Sequence, residues 1–273
     1  MTPEELSTLV GIAAEAAELV HGIYQTPFRV DYKGPRDPVT EADRAANELI
    51  CARLETAFPG TPVVAEESPP ERFSEYRQHE RVFFVDPIDG TREFVLRNGE
   101  FVVMIGVLEG DQATAAVLHA PATGIAWAGL LGYGAFELGS DGSRKAIQVS
   151  STATLSEARI VSSRSHRTSE LERVLEVLGA REVMLQGSAG LKGALVARGQ
   201  AEAHVAPRYA GQRWDVCAVD ALVCAAGGRV SDAHGRPIDY RAQSLVNDSG
   251  VVVSNGPLHE ALLEHLARVR AEA

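Results

Sequence analysis

The segment Asp86-Pro87-Ile88-Asp89-Gly90-Thr91 sets two carboxylates three residues apart across a turn. It directly follows an apolar run, Arg81 to Val85, that reads as a buried strand. A strand end brings side chains to the rim of a sheet. Pro87 restricts the backbone there, and Gly90 permits a sharp reversal. Two carboxylates and the Ile88 carbonyl can then converge on one point. Hard cations such as Mg²⁺ take oxygen ligands of this kind. Asp-Gly is also an ordinary turn dipeptide, so the hexapeptide alone leaves both readings open.

Other acids stand at similar positions. Glu66-Glu67 ends a short strand, Pro62 to Ala65, and as an isolated pair fits a solvated turn. Asp215 follows Trp214 at the start of an apolar helix, where a plain N-cap is the competing role. Asp43 lies in Thr40-Glu41-Ala42-Asp43, which also fits a helix-capping pattern.

The elements that must position these residues fall into two groups. Thr2-Pro3-Glu4-Glu5 is a helix start, and Leu6, Leu9, Val10, Ala13, Ala16, Leu19, Val20 and Ile23 recur at helical spacing. A second helix starts near Thr40 and stops at Phe58-Pro59-Gly60. Strands then follow at Phe101–Leu108, Ala113–His119, Ile125–Leu130 and Ala135–Leu138, with turn-rich breaks, as in an antiparallel meander. After a polar stretch, Gly139 to Ser156, strands and helices alternate. Strands are expected at Ile160–Ser162, Glu182–Leu185, Ala203–Ala206 and Val251–Ser254, and helices at Thr168–Leu178, Ala189–Ala197, Asp215–Ala226 and Pro257–Val269. The expected organisation is an N-terminal α+β sub-domain over residues 1–152 that holds most candidate ligands. A C-terminal α/β sub-domain over 153–273 carries Asp215, and a crevice lies between them.

The bulk composition narrows the function. The chain has 273 residues, 45% hydrophobic and 23% charged, enough for a core without disulfide staples. Net charge is −11, which argues against a general nucleic-acid binder. It leaves room for a small phosphorylated ligand if cations sit among the carboxylates. Cys51, Cys217 and Cys224 form no CxxC pair and read as buried thiols of a reducing compartment. The N-terminus has no basic and apolar leader, and no uninterrupted apolar run approaches membrane-spanning length, so a cytoplasmic location is expected.

Four blocks taken together are more specific. PVTEAD (38–43), VVAEES (63–68), VDPIDGT (85–91) and WDVCA (214–218) resemble the inositol monophosphatase superfamily in order and spacing, over nearly the whole chain. Ala65 stands where such proteins often carry Gly. The resemblance implies a layered αβαβα sandwich, of mixed α+β and α/β character, and a Mg²⁺-dependent phosphatase with two or three ions. Glu66, Asp86 and the Ile88 carbonyl would hold one ion; Asp86, Asp89 and Asp215 would hold a second. Glu67 would support the site, while Asp43 and Thr91 would orient the attacking water. Such ions acidify a water and neutralise phosphate charge. Li⁺ inhibition is also implied, and a homodimer is left open.

Within that superfamily, DPIDGTREFVLRNGEF (86–101), SSRSH (162–166) and GSAGLK (187–192) resemble the 3′(2′),5′-bisphosphate nucleotidases. Inositol monophosphatases typically read TNF where this chain has REF. The implied substrate is adenosine 3′,5′-bisphosphate, bordered by Gly90, Thr91, Ser165 and His166. Gly187 and Ser188 open a helix whose N–H groups are expected to hold an anionic or polar ligand group. Arg164, His166, Lys192 and Arg208 (or Arg213) are candidates for the second phosphate. An inositol or sugar monophosphatase with the same metal centre is the alternative. A non-enzymatic metal- or nucleotide-binding regulator is the third reading.

Overall fold

The computed structural model describes residues 1–34 and 37–272. The chain opens with α1 (Pro3–Tyr24), closed at its start by a capping box between Thr2 and Glu5. A hairpin, β1 (Val30–Gly34) and β2 (Asp37–Thr40), leads into α2 (Glu41–Ala57). Next come β3 (Val63–Ala65), β4 (Arg81–Asp89), the short α3 (Thr91–Val95), β5 (Val102–Glu109), β6 (Gln112–Ala120), β7 (Ile125–Leu130), β8 (Gly134–Leu138) and β9 (Arg144–Ile147). The second half runs β10 (Arg159–Ser163), α4 (Ser169–Leu178), β11 (Glu182–Gln186), α5 (Ala189–Ala197), β12 (Ala203–Ala206), α6 (Arg213–Ala225), β13 (Arg229–Ser231), β14 (Val251–Ser254) and α7 (His259–Ala271).

Strands β3 to β9 form one seven-stranded sheet in chain order. Its pairs are antiparallel except β3 with β4, which run parallel. Tight turns allow the antiparallel neighbours, as expected from the sequence. The second sheet has the order β11-β10-β12-β14-β13 and is mixed.

Alternation along β4 and β5 sorts side chains to two faces. Phe83, Val85, Val103, Ile105 and Val107 pack against Leu9, Ala13, Ala16 and Val20 of α1 and Ala46, Ile50 and Leu54 of α2. The opposite face, with Val82, Phe84, Val102, Met104 and Leu108, packs on α5 and α6 through Ala194, Cys217, Ala218 and Leu222. The second sheet meets that same helical layer through Val161, Val251 and Val253. Its far face, with Ile160, Ala203, Val205 and Val252, is covered by Leu171 and Val174 of α4 and Leu262 and Leu266 of α7. The layers are thus helix, sheet, helix, sheet, helix. Each fully buried Leu or Phe contributes roughly 1.5–3 kcal/mol to this stack.

Three differences from the sequence reading have simple causes. The β1–β2 hairpin, β9, β13 and α3 are too short or too polar to show a periodic pattern. Helix α1 is long and apolar enough to cross a membrane by composition, with mean hydropathy 1.3 over 18 residues. Its apolar stripe is used on the first sheet and α2. Cys217 is buried, but Cys51 and Cys224 are only half-buried, which corrects the expectation that all three are buried.

Candidate active site

The β4 strand ends in a deliberate irregularity. Asp86 pairs with Met104 and Asp89 with Val102 on β5, and the register shifts between them. Pro87 has no N–H to give the ladder, so regular pairing breaks there. The Asp86 carboxylate fills the gap by accepting from the Ile88 N–H at 2.9 Å. Gly90 then turns with φ of 100°, and a Cβ there would sit 2.8 Å from the Glu100 carbonyl oxygen. Only glycine suits both demands. Thr91 begins α3 directly afterwards.

Asp43 is both cap and site residue. Its Oδ2 accepts from the Thr40 N–H at 2.7 Å and the Thr40 hydroxyl at 2.5 Å, completing the capping box of α2. Its Oδ1 accepts from the Thr91 hydroxyl at 2.9 Å. That hydroxyl also lies 3.1 Å from the Ile88 carbonyl oxygen. Burial raises the Asp43 pKa, and its hydrogen bonds from Thr40 and Thr91 pull the other way.

Glu66, Asp86 and Asp215 each offer a carboxylate oxygen within 4.8 Å of the other two. They come from the end of β3, the end of β4 and the first turn of α6. Asp215 is not the N-cap of α6. Gln212 takes that place, and its N–H donates to Asp215 Oδ2 at 2.5 Å. Burial, and then repulsion led by Glu66 and Asp89, push the Asp86 and Asp215 pKa values well up. Burial also raises Glu66, partly offset by Lys33. An all-oxygen donor set under this repulsion is what a hard divalent cation relieves, so the residues present fit such an ion.

Asp89 lines the same cleft but stands apart from that trio. Its Oδ2 accepts from the Ser188 hydroxyl and from the Gly190 N–H, the latter at 2.6 Å. Lys33, on the β1–β2 hairpin, was not singled out by sequence. It donates to Glu66 at 2.9 Å and also to Glu67. Burial works against its charge, and the two carboxylates more than offset this, so its pKa is raised. A lone Lys on a short polar hairpin gives no signal in the sequence.

A cleft of about 1260 Å³ opens over these groups, lined by residues of both halves of the chain. Gly90, Thr91, Ser165, His166, Gly187, Ser188, Lys192 and Arg208 all line it. Arg164 does not. It forms a two-toothed pair with Glu100, at 2.6 and 2.9 Å, and also donates to the Leu185 carbonyl. The expected anion site at the start of α5 is corrected too. The Gly187 N–H donates to Glu100 at 2.6 Å and the Gly190 N–H to Asp89, so this protein's own carboxylates occupy much of that helix start.

Lys192 is buried and donates to the Ser188 carbonyl at 2.6 Å; burial lowers its pKa. Arg208 is exposed and pairs through Nε with Glu170 at 2.6 Å. His166 is exposed on the wall, and Ser165 donates to the buried Glu93 at 2.5 Å. Sequence reading noted the REF run but gave Glu93 no role. It also missed His204 beneath the cleft, where burial and then Lys192 push the imidazole pKa down to about 3. Its Nδ1 lies 3.0 Å from the Val161 carbonyl oxygen.

Comparison with known proteins agrees with this fold. The chain matches the inositol monophosphatase family over residues 2–271. It is 37% identical over 253 residues to the Escherichia coli 3′(2′),5′-bisphosphate nucleotidase CysQ, covering 91% of this chain and 99% of that one. Among solved structures, the Thermotoga maritima IMPase superposes with a TM-score of 0.83 at 27% identity, covering 98% and 99% of the two chains. CysQ from Bacteroides thetaiotaomicron gives 0.79 at 27% identity, covering 92% and 97%. The chain belongs to the inositol monophosphatase family.

Proposed function

We propose that this protein is a Mg²⁺-dependent 3′(2′),5′-bisphosphate nucleotidase that releases the 3′-phosphate of adenosine 3′,5′-bisphosphate. The observation that carries the reading is the convergence of Glu66, Asp86 and Asp215 at a cleft shared by both halves. The similarity to Escherichia coli CysQ over its whole length favours the nucleotide over an inositol phosphate. Glu66, Asp86, the Ile88 carbonyl, Asp89 and Asp215 are proposed to hold the ions. When bound, these would supply positive charge to the phosphate and acidify a water. Thr91 hands its hydroxyl proton to Asp43 along their 2.9 Å hydrogen bond as it takes one from the attacking water. Gly90 gives this edge of the site its shape, while Ser165, His166, Ser188, Lys192 and Arg208 line the path of the nucleoside. The free thiols of Cys51, Cys217 and Cys224 support a cytoplasmic setting.

The test is phosphate release in Mg²⁺ from adenosine 3′,5′-bisphosphate, inositol-1-phosphate and fructose-1,6-bisphosphate. The nucleotide is expected to be strongly preferred, and Asp86→Asn is expected to abolish release. Preference for inositol phosphate would keep the metal chemistry and overturn the substrate. No release from any of the three would overturn the nucleotidase reading and turn the search to other phosphate esters.

A further inference from the structure

The inner end of the cleft is acidic, and the chain as a whole carries −11. A ligand with two phosphates therefore needs a cation on the wall that the protein has not already neutralised. Among the described residues, five formally cationic side chains line the cleft: Lys33, Arg92, Arg167, Lys192 and Arg208. Lys33 is shared by Glu66 and Glu67. Arg167 is held by Glu172, and Arg208 by Glu170. Lys192 is buried and donates to the Ser188 carbonyl.

Arg92 differs from all four. Among the described residues it has no carboxylate within ion-pair distance, and its side chain is exposed. Its side chain's only hydrogen bond among them runs from Nη1 to the Ser165 carbonyl oxygen at 3.3 Å. That contact anchors one corner of the guanidinium and leaves Nε and Nη2 available as donors. A planar fork held this way matches a phosphate's oxygens with less loss of side-chain freedom than a lysine would suffer. Its place in the chain also fits. Thr91, the preceding residue, faces the reacting end through Asp43, and Arg92 reaches from there to the wall that carries Ser165 and His166. A substrate whose first phosphate sits at the carboxylate trio extends along that wall.

We propose that Arg92 recognises the second phosphate of the substrate, and so separates a bisphosphate from a monophosphate. The inference rests on the nucleotidase reading for the identity of its ligand. It explains why a basic residue follows Thr91 in this chain.

The experiment compares kcat/KM for adenosine 3′,5′-bisphosphate and adenosine 3′-monophosphate in wild type, Arg92→Ala and Arg92→Lys. A charge-assisted hydrogen bond pair makes the wild-type preference for the bisphosphate fall about ten- to hundredfold in Arg92→Ala. Arg92→Lys should keep part of it. An unchanged preference overturns the proposal. Equal losses on both substrates also overturn it, and assign Arg92 to holding the Ser165 loop. Equilibrium binding of AMP against adenosine separates this inference from the activity itself. Wild type should favour AMP, which carries the 5′-phosphate, and Arg92→Ala should lose that preference whether or not the bisphosphate is hydrolysed. A wild type that binds the two equally sinks the Arg92 assignment; a wild type that releases no phosphate sinks the nucleotidase.

Discussion

Asp220 lies on α6 beyond Asp215 and does a different job. Its two oxygens accept from the Tyr240 hydroxyl at 2.9 Å and the Cys224 thiol at 3.3 Å. Burial raises its pKa to about 6, and those two donors restrain the rise. The folded protein therefore binds this proton more tightly than the unfolded chain, whose carboxyl titrates near 3.8. The contribution to stability is fully present below about pH 4 and is lost as pH rises through about 6. Its size is on the order of 3 kcal/mol or less. Asp220→Asn, which stays neutral, should flatten the pH dependence of the unfolding free energy over that window. Denaturant melts of both proteins at several pH values check this, and parallel curves would refute it. Asp43 carries the complementary lesson at the same scale. Its capping and its site role looked like rivals in the sequence, yet its two oxygens serve one each.

At the scale of elements, α6 must lie very close to the first sheet for Asp215 to reach the ends of β3 and β4. Gly106 on β5 makes that approach feasible. A Cβ there would stand 2.6 Å from the Ala218 N and 2.8 Å from the Cys217 Sγ. Gly106→Ala should push α6 outward, destabilise the protein by about 1–3 kcal/mol, and lower kcat as Asp215 leaves its partners. Thermal melting and turnover measured together test it, since stability loss without activity loss would uncouple the packing from the site. This dependence was invisible in the sequence. Gly106 sat inside an apolar strand pattern, and nothing local says which helix will cross it. Boundaries of α5, β7, β12 and β14 agree with expectation because each has a plain apolar period and turn residues at both ends.

The whole molecule is held together partly by what it is asked to bind. Glu66, Asp86 and Asp89 belong to the first half of the chain and Asp215 to the second; burial, and then repulsion led by Glu66 and Asp89, pushes the Asp86 and Asp215 pKa values up. Without cations, that repulsion opposes closure of the two halves. Added Mg²⁺ should raise Tm, by the equivalent of about 2.7 kcal/mol at a hundredfold excess over its Kd. Asp215→Asn should melt higher than wild type in chelator and gain less from Mg²⁺. A variant that is less stable than wild type in chelator would show that the carboxylate trio is not a source of strain.

The sequence by itself determined the candidate oxygen donors, because they are written in short local runs, Asp86 to Thr91, Glu66-Glu67 and Asp215, and the order and spacing of four blocks resembling one family implied their metal-binding role. Its periods of two and of about 3.6 residues also marked the longer strands and helices, while the order of the layers was implied by the family resemblance. Only the tertiary structure decided which cations are available to a ligand. Arg164 was drawn to Glu100 and Lys33 to Glu66 and Glu67, while Arg92 was left without a carboxylate among the described residues. Those pairings join residues far apart in the chain, so their electrostatics exist only after the chain has folded. Local spacing fixes what a side chain can do; the charges that surround it after folding fix what it is free to do.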